Sequence, residues 1–268
     1  MKSKILVFTG LLLLVNVGMA AQGISTDAGL TPAQDRWMVR SQLRMMGMEN
    51  SMMQMNTTMV PVVVGYGITS GSTVMLRNMY VRQNSSNSAE VNSGVNDPYL
   101  LAKFRLYRKN TANFTFGMAP YFASNIPVGA SEISNRSWDP EVGLNLSFRP
   151  RFLAADISTS YVFNDAMEKI NAEHLNKYNF NLAVAGIMPF KKRPDQALSP
   201  VIELNYSREG NQNSIVRTRE LLFLSPGFSY IISSLFIEAL YQVPVYQSER
   251  TDLMTQRPRW ILGLKYML

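Results

Sequence analysis

From Trp37 onward the chain alternates apolar and polar positions in segments of about ten residues, the pattern that sends successive side chains to opposite faces of a β-strand. The last segment has it in its plainest form. Trp260, Leu262, Leu264, Tyr266 and Leu268 fall on one face, and Arg259, Gly263 and Lys265 on the other, with Ile261 and Met267 as apolar exceptions. One face is large and wholly apolar and the other mostly charged or small. Such a strand suits a sheet that meets an apolar medium outside and a polar space inside. An open sheet edge cannot face that medium, so the last strand must find a partner in the first.

The upstream segments repeat the pattern. Trp37, Val39, Leu43 and Met45 oppose Arg40, Gln42 and Arg44. Met59 to Gly67 is apolar on both faces, which leaves its orientation open, and Thr73 to Gln83 returns after the turn Thr69-Ser70-Gly71-Ser72. Leu100, Ala102, Phe104 and Leu106 alternate with Lys103 and Arg105, and Phe114, Phe116, Met118 and Phe122 follow. Val142 to Phe148 opposes Glu141, Asn145 and Arg149; Leu153 to Tyr161 opposes Asp156 and Ser158. Tyr178 to Val184, Ile202 to Tyr206, Leu222 to Tyr230 and Leu235 to Val243 complete the series, with Asn181, Glu203 and Glu238 among their polar positions. Polar stretches connect them, including Glu49 to Thr58, Asn84 to Asn96, Ala123 to Asp139, Asn164 to Asn176, Arg208 to Arg219 and Gln247 to Pro258, with a basic turn at Phe190 to Leu198.

Long and short connections alternate through twelve such segments, and most segments have the ~9–11 residues that cross a bilayer at a tilt. The expected fold is all-β: a twelve-stranded antiparallel up-and-down transmembrane barrel of the outer-membrane type over 37–268. A secreted β-sandwich also alternates, but its strands are usually about half as long.

Composition narrows the setting. Lys2 and Lys4 precede the apolar run Ile5 to Val15, and Gly18-Met19-Ala20 offers small residues for cleavage, so 1–20 reads as a signal peptide. Residues 21–36 lack periodicity and read as a flexible N-terminal arm. Without Lys2 and Lys4 the net charge falls from +7 to +5, and the cations are scattered, which argues against nucleic acid as a partner. The absence of cysteine excludes a lipoprotein and any disulfide.

Several short motifs carry a family resemblance. They are Tyr66-Gly67-Ile68-Thr69 at a strand end, Asp97-Pro98 opening the fourth strand, Ile126-Pro127-Val128-Gly129 in a long loop, Ser137-Trp138-Asp139-Pro140 before the sixth strand, and Ser225-Pro226-Gly227 in the tenth. With them the chain resembles the "putative MetA-pathway of phenol degradation" family of outer-membrane transporter-like barrels, over nearly the whole mature length. The resemblance implies passage of aromatic or hydrophobic compounds; it supplies no catalytic residues. Methionine packed into the first hairpin departs from that picture.

The expected lumen-lining residues are Arg40, Arg44, Arg77, Lys103, Arg105, Glu141, Arg149, Asp156, Asn181, Glu203, Glu238 and Lys265. Their mixed signs suit either a narrow polar channel with a slight preference for anions, or a lumen filled by charge pairs. Met46, Met48, Met52, Met53 and Met55 are candidate soft-metal ligands for copper or silver, because thioether sulfur suits Cu(I); adaptable packing is the commoner use of methionine. His174 is the single histidine and has no evident nucleophile beside it, so no enzyme and no cofactor is expected. The expected function is passive outer-membrane transport of small hydrophobic or aromatic solutes, or of solutes related to soft metals such as copper and silver, with a closed structural or surface-interaction barrel and an outer-membrane hydrolase as alternatives. Expected partners are outer-membrane lipid, the barrel-assembly machinery and a small-molecule solute.

Overall fold

The computed structural model describes residues 22–87, 91–134, 136–164, 176–210, 218–248 and 254–268. Their regular structure is entirely β. The segments are β1 (Trp37–Glu49), β2 (Gln54–Thr69), β3 (Ser72–Ser85), β4 (Val91–Val95), β5 (Tyr99–Phe104), β6 (Tyr107–Asn110), β7 (Phe114–Asn125) and β8 (Glu141–Pro150). There follow β9 (Leu153–Val162), β10 (Lys177–Gly186), β11 (Met188–Phe190), β12 (Arg193–Glu209), β13 (Arg219–Ile232), β14 (Leu235–Gln247), β15 (Thr255–Gln256) and β16 (Arg259–Met267).

Three staves are interrupted. β4, β5 and β6 share one, lying between β3 and β7; β10 and β11 share another against β12; β15 and β16 share a third against β1. The sixteen segments therefore make twelve staves, and the ring is closed. β16 pairs with β1 from Met38↔Met267 to Met45↔Trp260, and the Leu268 N–H donates to the Trp37 carbonyl. Closure satisfies every edge without water, which a spanning sheet needs.

The two faces separate cleanly. In β16, Leu264 is 54 % exposed while its neighbour Lys265 is 1 % exposed. The orientation of β2, ambiguous by composition, is settled by register: Val63 stands opposite Arg40 on β1 and Arg77 on β3, and directly paired residues share a face. Val63 therefore points inward and Val62 outward.

The strands reach further than the alternation suggests. The Met-rich stretch Glu49 to Thr58 is not a long loop: β1 runs to Glu49 and β2 starts at Gln54. The basic turn at 190–198 shrinks to Lys191 and Lys192, because β12 begins at Arg193 and pairs with β13 from Gln196↔Ile232 onward. In both places polar side chains or proline hide strand that the backbone adopts to pair its own donors and acceptors. The signal peptide and His174 lie outside the described residues.

Candidate functional site in the barrel lumen

Inward positions carry the polar and charged side chains, and the space they enclose is occupied by the chain itself. Residues 22–36, expected as a flexible arm, turn back into the barrel from the short-turn end. At the base, Asp35 N–H donates to the Gly67 carbonyl and Gly67 N–H donates to the Arg36 carbonyl. Further in, Ile24, Thr26 and Ala28 are buried.

Glu203, Asp156 and Glu238 on the wall each meet this segment or a neighbouring cation. Glu203 on β12 is fully buried and accepts from the N–H groups of Ile24 and Ser25 and from the hydroxyls of Ser25 and Thr26. Asp156 on β9 accepts from Gly23 N–H at 3.1 Å and from Ser147, and pairs with Arg149 at 2.6 Å. On the opposite wall, Arg40 donates to Glu238 at 2.7 Å and to the Ile24 carbonyl, which also accepts from Gln42 at 3.1 Å. Lys103 holds the Asp27 carboxylate at 2.8 Å and the Ala28 carbonyl at 2.9 Å, and Asn145 adds a bond to Asp27. Lys265 lies 3.8 Å from Glu238. A buried carboxylate is costly unless donors surround it, and the arm supplies most of those around Glu203.

Close approach makes the seat specific. Gly29 lies against the wall so tightly that a Cβ there would stand 2.6 Å from the Asn145 carbonyl oxygen and 2.8 Å from that of Gly117. Both obstacles are backbone, so only glycine fits.

Four inward arginines have no carboxylate within 4.0 Å among the described residues. Arg44 on β1 donates to Gln42, Arg77 on β3 stacks 4.2 Å from the Tyr99 ring centroid, and Arg259 on β16 stacks 4.2 Å from Phe223. Arg259 Nη2 donates to Gln256 at 2.7 Å, and its Nε has no hydrogen-bond partner among the described residues. Arg219 on β13 donates to the Met254 carbonyl and to Met48 Sδ at 3.9 Å. Here the lumen has a surplus of positive charge.

Methionine lines the inner face of β1 to β3. Met38, Met46 and Met48 alternate inward on β1, Met55 and Met59 on β2, and Met75 and Met79 on β3. Of the five candidate metal ligands, Met48 and Met55 are direct cross-strand partners and Met46 lies two residues along β1. Met52 is 80 % exposed at the loop tip and does not join them; Met53 also lies in that loop.

The expected lining is placed as follows. Arg40, Arg44, Arg77, Lys103, Arg149, Asp156, Asn181, Glu203, Glu238 and Lys265 all point inward, and Glu141 accepts from the hydroxyls of Tyr99 and Tyr121. Arg105 does not line the lumen. The fourth stave breaks after Phe104, and Arg105 sits at the rim on the β2–β3 turn, its N–H donating to Gly71 and its guanidinium to Ser70. Sequence reading does not single out Asp27, Arg219 or Ser225; Asn205 and Gln242 fall on the polar faces with Glu203 and Glu238, and the structure joins Ser225 and Gln242 through Asn205. Arg219 follows the alternation of β13, although its polar surroundings read as part of the loop Arg208 to Arg219.

Comparison with known proteins agrees with this architecture. A family model described as "Putative MetA-pathway of phenol degradation" matches residues 54–252. Among solved structures, the COG4313 outer membrane channel from Pseudomonas putida F1 is similar with a TM-score of 0.65 and 15% identity, covering 92% of this chain and 100% of that one. The β domain of the Bordetella autotransporter BrkA gives 0.53 at 10% identity, over 88% and 100%, and the KdgM porin 0.51 at 12%, over 85% and 98%. No curated protein matches the sequence.

Proposed function

The chain belongs to the "Putative MetA-pathway of phenol degradation" family, and from that premise we propose that it is an outer-membrane diffusion channel held shut by its own N-terminal segment. The observation that carries this is the Glu203 seat: a carboxylate inside a transmembrane barrel, satisfied by a segment that reaches across the lumen to Asp156, Arg40 and Lys103. In this reading the short turns face the periplasm, the signal peptide is removed, and the apolar final strand is what the assembly machinery receives.

The solutes we assign are small molecules with an apolar or aromatic body, taken preferentially when they also carry negative charge. The lining supports this assignment through the four arginines without carboxylate partners and the adaptable methionine wall beside them. A soft-metal cargo on Met46, Met48, Met52, Met53 and Met55 is less well supported. Met52 stands apart, and Arg219 donates to the Met48 sulfur that a metal would use.

The test is conductance of the refolded mature chain in planar bilayers, with and without residues 22–36. The proposal expects a small or intermittent conductance in the intact chain and a large steady one in the truncated chain. An unchanged conductance with a folded barrel would favour the closed structural reading.

A further inference from the structure

One arc of the short-turn rim combines exposed cations with outward aromatic rings. The turns that join β6 to β7, β8 to β9 and β11 to β12 follow one another around the barrel. They expose Lys109, Arg151, Lys191, Lys192 and Arg193, against the single carboxylate of Asp195. The β13–β14 and β2–β3 turns carry only Ser233-Ser234 and Thr69-Ser70-Gly71-Ser72. Elsewhere on this rim Arg105 donates to Ser70 of the β2–β3 turn, so the arc carries the largest group of exposed cations there.

Beside the arc, rings pair on the outer surface. Tyr107 lies 6.0 Å from Phe116, Phe114 lies 5.5 Å from Phe148 with Lys109 Nζ 6.0 Å above it, and Phe190 lies 6.1 Å from Tyr230. At the last pair the surface opens into a groove of about 390 Å³, lined by Phe190, Lys191, Lys192, Arg193, Gln196 and Tyr230. Tyr230 donates to Gln196 at 2.7 Å, which fixes the polar wall. None of the three groove cations has a carboxylate within 4.0 Å among the described residues.

We propose that this groove binds the headgroup of an anionic phospholipid, of the phosphatidylglycerol type, in the leaflet at the short-turn end. A phosphodiester needs cations at the interface, and its acyl chains need apolar surface directly alongside. The groove provides both within one turn of chain: Lys191, Lys192 and Arg193 at the rim, and the Phe190 and Tyr230 rings on the lipid-facing side. A soluble acidic protein matches the charge but not the rings. The proposal rests on the reading that the barrel sits in the outer membrane with its short turns toward the periplasm.

The experiment is native mass spectrometry of the refolded mature chain released from vesicles of phosphatidylglycerol and phosphatidylcholine. Wild type is compared with the triple variant Lys191→Gln, Lys192→Gln, Arg193→Gln and with Arg208→Gln at the opposite rim. Wild type should retain phosphatidylglycerol over phosphatidylcholine by roughly tenfold or more, each cation contributing to attraction at an anionic surface. The triple variant should lose the preference while Arg208→Gln keeps it. Equal retention of both lipids by wild type, or an unchanged preference in the triple variant, overturns the proposal. Failure of the folded chain to enter vesicles at all would instead sink the membrane reading beneath it.

Discussion

Glu203 and Ser25 meet inside the barrel although 178 positions separate them in the chain. The Ser25 N–H lies 3.1 Å from both carboxylate oxygens, and its hydroxyl donates to one of them. Glu203 also takes the neighbouring Ile24 N–H and the Thr26 hydroxyl. One wall residue therefore organises three consecutive residues of the plug, and Asp156 takes Gly23 just before them.

Glu203→Gln keeps the shape of the side chain and removes its charge. Hydrogen bonds to a charged group contribute about 1.5–3 kcal/mol each, so the seat should loosen while the barrel still folds. Because the chain has no cysteine, Thr26→Cys gives a clean reporter. Maleimide labelling of that cysteine should be faster in the Glu203→Gln background. Equal labelling rates would remove Glu203 from its role as the latch.

Gly29→Ala tests the seat from the other partner. The added methyl meets backbone oxygens at 2.6 and 2.8 Å, neither of which yields easily, so the arm should be displaced. The barrel sequence is untouched. Conductance should rise toward that of the chain lacking 22–36, with heat-modifiable gel mobility unchanged. A wild-type conductance would mean the arm accommodates the methyl in place.

The assignment of faces predicts an asymmetry in assembly. Leu264 points to lipid and Asn181 into the lumen, where Asn205 donates to it. Arginine on the lipid face costs about 2–4 kcal/mol near the midplane. Leu264→Arg should therefore impair folding into vesicles far more than Asn181→Arg. Equal yields of the heat-modifiable form would contradict the faces.

The arginines without carboxylate partners should set ion preference once the plug is absent. In the chain lacking 22–36, the reversal potential in a potassium chloride gradient should indicate chloride preference. Replacing Arg44, Arg77 and Arg259 with Gln should move it toward zero, since these three carry charge that no described carboxylate offsets. An unchanged reversal potential would place the selectivity elsewhere.

Met46→Leu, Met48→Leu and Met55→Leu together separate packing from metal binding. The swaps conserve volume and usually cost below ~1.5 kcal/mol each. Silver(I) binding by the refolded barrel should be weak in wild type and no weaker in the variant. A clear loss on substitution would revive the soft-metal reading.

The sequence by itself determined the staves and, except in β2, their faces. Alternation has a period of two and needs no knowledge of distant residues, so Leu264 outward and Lys265 inward are legible from ten residues alone. It misplaced strand ends at Gln54 and Arg193 because polar residues and proline interrupt the alternation there while the backbone pairs on. Only the tertiary structure decided what the lumen holds. Glycine, threonine and aspartate without periodicity describe a loose tail as well as a plug, and no local signal joins Ser25 to Glu203. Closing the ring brought those residues together and required a buried carboxylate to find donors. It also decided which charges cancel: Arg149, Arg40 and Lys103 meet carboxylates across the wall or on the arm, while Arg44, Arg77, Arg219 and Arg259 meet none among the described residues.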